Sequence, residues 1–177
     1  MKKYNILLDL DQTLIASEQV GKISTRSLAN YKKMFESHTM PGEYVIFARP
    51  HLQSFLDFLF ANFNVSVWTA ASKDYALFII EKFILIKPER KLDFFFYSYH
   101  TNLALKEHSK LKDISMLWRV FKLQNYNFKN TYIIDDNENV YEAQPKNTIR
   151  IKEFNYDSVS KEDGEFARIR LFLEKLR

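Results

Sequence analysis

Tyr4-Asn5-Ile6-Leu7-Leu8-Asp9-Leu10-Asp11-Gln12-Thr13 is an apolar run that ends in two acids. A run of this length reads as a buried strand, and the polar residues after it as the loop the strand enters. Side chains two apart on a strand point the same way, so Asp9 and Asp11 leave it on one face. Carboxylates that close repel, and the arrangement is tolerable when a cation bridges them or one carboxyl keeps its proton. Phosphoryl transfer uses both devices. Mg²⁺ takes carboxylate oxygens, waters and substrate phosphate. A free Asp can attack phosphorus as a covalent nucleophile, and a protonated one can protonate the leaving oxygen. In isolation an Asp-x-Asp after a strand reads more simply as a solvated turn. What weighs against that reading is recurrence: an apolar strand followed by a polar functional group returns three more times along the chain.

Working outward, residues 4–10 are the first strand. Residues 14–48 read as a small insertion with a helix-like stretch from Thr25 to Glu36 and a strand-like Glu43-Tyr44-Val45-Ile46-Phe47. Arg49-Pro50-His51 opens a helix whose Leu52, Phe55, Leu56 and Leu59 recur at helical spacing, Pro being harmless so near a helix start. Val65-Ser66-Val67-Trp68 is a second strand. Helical spacing then runs from Lys73 through Ala76, Ile79, Ile80 and Phe83 until Pro88. Phe94-Phe95-Phe96-Tyr97 reads as a third strand, and residues 98–110 as a polar loop. Asp113 to Leu123 fits a helix with Ile114, Leu117, Trp118 and Phe121 on its buried face, and an Asp at its start suits the helix dipole. Thr131-Tyr132-Ile133-Ile134 is the next strand. A short helix around Glu138 to Ala143 leads to a last strand, Thr148-Ile149-Arg150-Ile151, and residues 162–176 form a closing amphipathic helix. Alternating strand and helix predict an α/β fold, a three-layer Rossmann-like parallel sheet flanked by helices, with function gathered at the carboxyl ends of the strands.

At 177 residues the expectation is one domain spanning 1–177. Apolar residues at 46%, with sixteen Phe and ten Tyr, supply a bulky core and argue against disorder. The net charge of +4 is too mild for a dedicated nucleic-acid binder, although it would draw in a phosphorylated substrate. Cysteine is absent, which excludes disulfides, thiolate metal sites and Cys nucleophiles. No apolar stretch reaches membrane-spanning length, and the first strand begins almost at Met1, leaving no room for a signal peptide. The expectation is an intracellular, soluble protein of cytoplasm or nucleus. With three Gly in all there is no Gly-rich phosphate loop, so phosphate must be held another way.

The other strand ends supply candidates. Thr69-Ala70-Ala71-Ser72 places a hydroxyl and small residues before a helix, which suits a phosphate oxygen; an N-cap is the plainer use of the same tetrad, and both can hold. Lys112 directly precedes a helix and would sit as a point charge beside a phosphate. Asp135-Asp136-Asn137 follows Ile133-Ile134 and offers a second pair of acids to complete a metal site with the first.

In this order these residues resemble the haloacid dehalogenase superfamily, and within it the small phosphatases acting on the C-terminal domain of RNA polymerase II, or NLI-interacting-factor branch. The likeness rests on Leu8-Asp9-Leu10-Asp11-Gln12-Thr13-Leu14, with Gln12 where Glu is usual, on Arg49-Pro50-His51 and Phe55-Leu56, and on Thr69-Ala70-Ala71-Ser72 with Tyr75-Ala76. It continues through Lys112-Asp113-Ile114, Asp135-Asp136 and Asn147-Thr148-Ile149-Arg150-Ile151. What the resemblance implies is a haloacid dehalogenase-like domain in which Asp9 is the nucleophile and a Mg²⁺ ligand. Asp11 would be the general acid and base and bind the metal through its carbonyl. Thr69, Ala70 and Lys112 would bind the phosphoryl group, and Asp136 would be the further metal ligand. Asp135 would orient Lys112 and Thr13 would support the first loop. For Arg49 a structural or substrate-facing role is implied, and a paired surface arginine before a helix is an equally open reading.

Superfamily members choose substrates through inserted caps. Neither residues 14–48 nor the interval from Thr69 to Lys112 has room for a large one, so an open site and a phosphorylated protein or peptide partner are expected. Members of this branch insert a small three-stranded sheet before the Arg-Pro element, whereas the insertion here reads as partly helical. A phosphatase for nucleotides or nucleic-acid ends and a non-catalytic docking relative remain as alternatives; the presence of both Asp9 and Asp11 argues for catalysis. His38, His51, His100 and His108 show no metal spacing.

Overall fold

In the computed structural model, which describes residues 3–157 and 162–176, the apolar run becomes β1 (Asn5–Leu8), buried along its whole length. A strand buried on both faces belongs at the centre of a parallel sheet. β1 lies between β5 (Asn64–Trp68) and β7 (Thr131–Asp135), parallel to both; β6 (Phe95–Phe96) and β8 (Thr148–Arg150) complete a five-stranded sheet of order β6-β5-β1-β7-β8. The period-two alternation divides the side chains between two cores. Ile6, Leu8, Val65, Val67 and Ile134 pack on one face, against α2 (Leu52–Asn62), α3 (Lys73–Ile79) and α7 (Glu165–Glu174). Leu7, Trp68 and Ile133 point the other way, onto Ala104, Ile114, Leu117 and Val140. Three layers result, in agreement with the expected fold class.

The insertion differs from its sequence reading. α1 (Thr25–Met34) is present, capped by Ser24, whose Oγ accepts from Ser27 N at 3.2 Å. Around it β2 (Ile15–Gln19), β3 (Ser37–Met40) and β4 (Tyr44–Ala48) form an antiparallel sheet of order β2-β4-β3. The insertion is therefore a three-stranded sheet with a helix added. β2 and β3 escaped notice because only Ile15 and Ala16 among their residues are buried, which leaves little apolar alternation to read. Ala16, Phe35, Val45, Phe47 and Phe154 give this unit a small core of its own.

Two further expectations need correction. Residues 98–110 are no loop: Ser98–His108 form α4, whose buried face consists of Thr101 and Ala104. Neither residue gives an apolar stripe, so periodicity could not find it. Thr101 replaces apolar burial with hydrogen bonds, accepting from Trp68 Nε1 and donating to the Thr69 carbonyl, both at 3.1 Å. The helix expected over Asp113–Leu123 shrinks to α5 (Met116–Arg119), with Ile114 and Leu117 still buried. After α3 the chain widens into a π-helical turn, Ile80–Ile84, before Pro88. α6 (Glu138–Ala143) lies where expected, and the closing helix runs only over Glu165–Glu174 within the expected 162–176.

Candidate active site

Register brings the candidates together. Leu8 lies level with Val67 and Ile134, so the chain leaves β1, β5 and β7 at one height and presents Asp9, Thr69, Asp135 and Asp136 at one end of the sheet. Lys112 arrives from the far side, on the loop between α4 and α5, with φ of 48°. That strained loop is clamped by Gln144, whose Nε2 donates to the Lys112 carbonyl at 2.9 Å while its Oε1 accepts from Ile114 N at 3.2 Å.

The Lys112 ammonium, 4% exposed, donates to Asp9 Oδ1 and to Asp135 Oδ2, the latter at 2.7 Å. Asp135 Oδ1 accepts from Asn137 N at 2.9 Å, so both carboxylate oxygens have a hydrogen-bond partner. Thr13 Oγ1 donates to Asp136 Oδ1 at 3.0 Å and so ties the first loop to the last. Thr69 is buried; its Oγ accepts from Ala71 N at 3.0 Å. Asp11 is partly exposed, and the hydrogen bonds of Lys112 go to Asp9 and Asp135 rather than to it. Its Oδ1 accepts from the Tyr75 hydroxyl at 2.6 Å, and that hydroxyl lies 2.8 Å from Ser17 Oγ on β2. Asp9, Asp11, Gln12, Thr69, Ala70 and Lys112 line a cavity of about 210 Å³, closed on the other side by Asp135, Asp136 and Asn137.

The charge balance in this cavity is lopsided. Four carboxylates face one ammonium, so full ionisation would leave three negative charges uncompensated. Burial pushes the Asp9 carboxyl up to about 6 despite Lys112, with Asp11 and Asp136 adding to the rise. Burial, then repulsion from Asp9, takes Asp135 to about 6 as well. Asp11 and Asp136 are also raised, by burial first, against the hydrogen bonds from Tyr75 and Thr13. Burial acts against the charge of Lys112, but Asp9 and Asp135 outweigh it and hold the ammonium protonated above the usual lysine range.

Among the described residues, Asp9, Asp135 and Asp136 bring ligand oxygens within 4.8 Å of one another. An all-carboxylate donor set with surplus negative charge and no nitrogen or sulfur fits a hard divalent cation such as Mg²⁺.

Arg49 lies elsewhere. Its Nη1 donates to the Thr13 carbonyl at 3.1 Å, its Nε pairs with Asp163 Oδ2 at 2.7 Å, and its guanidinium lies over Phe154 and Phe166. It reaches the cavity only through the loop it braces. Sequence reasoning counted Tyr75-Ala76 in the resemblance but assigned Tyr75 no role, and it gave none to Ser17 or Gln144. The available signal for Tyr75 was its position on the first turn of α3, which faces the strand ends; nothing local marked Ser17 or Gln144.

Known proteins resemble this chain in sequence and in fold. The model of the family described as NLI interacting factor-like phosphatase matches residues 4–177. The CTD phosphatase-like protein 355R of Invertebrate iridescent virus 6 is 43% identical over 179 residues, covering 97% of each chain. The CTD nuclear envelope phosphatase 1 of Xenopus laevis is 27% identical over 86% of this chain and 59% of its own length. Among solved structures, Fcp1, an essential RNA polymerase II CTD phosphatase, superposes with a TM-score of 0.60 at 18% identity. The match covers 98% of this chain and 49% of Fcp1, so the present chain spans about half of that protein and the likeness is one of fold.

Proposed function

The chain belongs to the NLI interacting factor-like phosphatase family, and from that premise we propose that it hydrolyses phosphomonoesters through an aspartyl-phosphate on Asp9, with phosphoserine or phosphothreonine in a protein as substrate. The observation that carries this reading is the asymmetry between the first two acids. Asp9 is buried against Lys112 and hydrogen-bonded by it, whereas Asp11 feels the lysine only through its charge and takes its side-chain hydrogen bond from the Tyr75 phenol.

Asp9 attacks phosphorus in line with the departing oxygen. Asp11, whose raised pKa favours a proton, protonates the alkoxide as it leaves, and later takes a proton from the water that cleaves the acyl phosphate. Lys112 and the Thr69 hydroxyl, with backbone N–H donors near Ala70, hold the phosphoryl oxygens. Asp135 keeps Lys112 aimed at the cavity, and Thr13 keeps Asp136 in place. Asp9, Asp136 and the Asp11 carbonyl would hold Mg²⁺, which when bound would neutralise charge on the phosphoryl oxygens and allow Asp9 and Asp136 to be ionised together.

The substrate class rests on shape. The cavity is small, its edge at Gln12, Ala70 and Asn137 is exposed, and neither insertion point has room for a large cap to exclude water. A macromolecular substrate can perform that exclusion with its own surface. No helix among the described residues is long and apolar enough to cross a membrane, which accords with action on a protein in cytoplasm or nucleus.

The test is phosphate release from an aryl phosphate, then from phosphoserine peptides, with Mg²⁺ and with chelator. The reading predicts metal-dependent turnover that Asp9→Asn abolishes. Full activity in folded Asp9→Asn protein would overturn it.

A further inference from the structure

Behind the loop that carries Lys112 lies a second, larger depression that the proposed chemistry does not use. It has a volume of about 470 Å³ and is lined by Trp118, Phe128 and Pro145, with the exposed cations Lys110, Arg119 and Lys146 at its rim. Phe128 is 54% exposed, an unfavourable position for a large ring unless something covers it. Among the described residues the three rim cations make no ion pair. The one acid in the lining, Asp113, is already engaged: its Oδ2 lies 2.6 Å from His108 Nδ1 and its Oδ1 accepts from Ser115 N at 2.9 Å. The groove thus combines apolar rings with three cations against the one carboxylate of Asp113, whose charge Lys110 partly offsets, and its net positive lining is complementary to carboxylates carried on an apolar segment.

Its position relative to the cavity is fixed by α6. Asn137 and Val140, at the start of α6, line the catalytic cavity, while Ala143 and Gln144, at its end, line the groove. A six-residue helix is about 9 Å long, a span that roughly three residues of extended peptide cover. The two depressions also share a hinge, since Gln144 borders the groove and clamps the Lys112 carbonyl.

We propose that this groove docks an acidic segment of the phosphoprotein substrate, its carboxylates on Lys110, Arg119 and Lys146 and an apolar side chain on Trp118 and Phe128, about three residues from the phosphorylated position. The proposal rests on the phosphoprotein reading above. It assigns substrate selection to a face of the molecule separate from the three-stranded insertion.

The experiment compares two phosphoserine peptides that differ only in a distal Asp/Glu-Leu segment or its Asn/Gln-Leu equivalent, against wild type and an Arg119→Glu, Lys146→Glu double variant. Wild type should show roughly tenfold higher kcat/KM for the acidic peptide at low salt, carried by KM, and the variant should lose or reverse that preference. Aryl phosphate turnover should be the same in both proteins. Phe128→Ala, whose exposed ring contributes little to folding, should weaken both peptides. Binding of the acidic peptide without its phosphate, read from the fluorescence of Trp118, tests the groove even if the protein proves to have no turnover: saturable quenching in wild type and none in the double variant supports it. Equal kcat/KM for the two peptides, or an unchanged preference in the variant, overturns it. So does a single-stranded oligonucleotide that displaces the acidic peptide at lower concentration than the peptide itself binds, which would assign the groove to nucleic acid.

Discussion

Among the three buried cations of the described residues, Arg49, Arg90 and Lys112, the first and last offer the sharpest contrast. They are alike in burial, 2% and 4% exposed, and each is paired with a buried carboxylate. Around Arg49 the account closes: one acid, one carbonyl and two aromatic rings enclose one guanidinium, and no charge remains over. Around Lys112 it does not close, because four carboxylates share one ammonium. A buried pair that balances can only hold parts together; a buried centre with surplus charge of one sign retains the capacity to bind a cation and a phosphoryl group. On the function proposed above, the difference separates a brace from a reacting site more clearly than burial does.

The largest expected effect comes from removing either cation. Lys112→Met should cost about 3–5 kcal/mol in urea unfolding, since two buried carboxylates lose their partner, and should abolish turnover. Arg49→Met should destabilise by a similar amount through Asp163 and the Thr13 carbonyl, yet the folded fraction should keep turnover within about tenfold of wild type. Loss of chemistry from Arg49→Met at unchanged stability would erase the distinction. Asp9→Asn comes next. It should lower turnover by at least about a thousandfold while leaving stability unchanged or raised by about 1 kcal/mol, because one of four mutually repelling carboxylates is gone and Lys112 keeps Asp135. Mg²⁺ at a hundredfold over its Kd should stabilise wild type by about 2.7 kcal/mol in thermal unfolding, and Asp136→Asn should shrink that gain. The smallest effect belongs to an ion pair on the surface. Arg168 first, then the Lys152 N–H, pull the Glu165 carboxyl from 4.5 down to about 2, against partial burial. A depressed carboxylate contributes above its unfolded value and loses that contribution as pH falls from about 4.5 toward 2. Glu165→Gln should flatten the acid limb of stability by under about 1 kcal/mol after solvent screening.

The sheet and the strand-end residues were legible because each parallel strand is a dense apolar run that stops at a polar residue. Val65–Trp68 with Thr69, and Thr131–Ile134 with Asp135 and Asp136, need only the rule that parallel strands present their carboxyl ends together. The sequence also anticipated that Asp135 would hold Lys112, through the resemblance. What stayed hidden was structure held by polar contacts. α4 carries Thr101 where a leucine would have announced a helix, and β2 and β3 show the core almost no apolar face. The partners Tyr75 to Asp11 and Gln144 to Lys112 are hydrogen bonds across 64 and 32 residues, and no local pattern specifies those. Asp163, the partner of Arg49, lies 114 residues from it and was equally unreadable.

The central claim, that the surplus of acids around Lys112 serves covalent catalysis on Asp9, is tested most directly in the Asp11→Asn protein. Without the base that activates water, the acyl phosphate should accumulate. Asp11→Asn protein mixed briefly with an aryl phosphate and Mg²⁺, then quenched in acid, should gain the mass of one phosphoryl group, located by peptide mapping to Asp9. Phosphate release in wild type with no adduct in Asp11→Asn, or an adduct on another residue, would contradict the account.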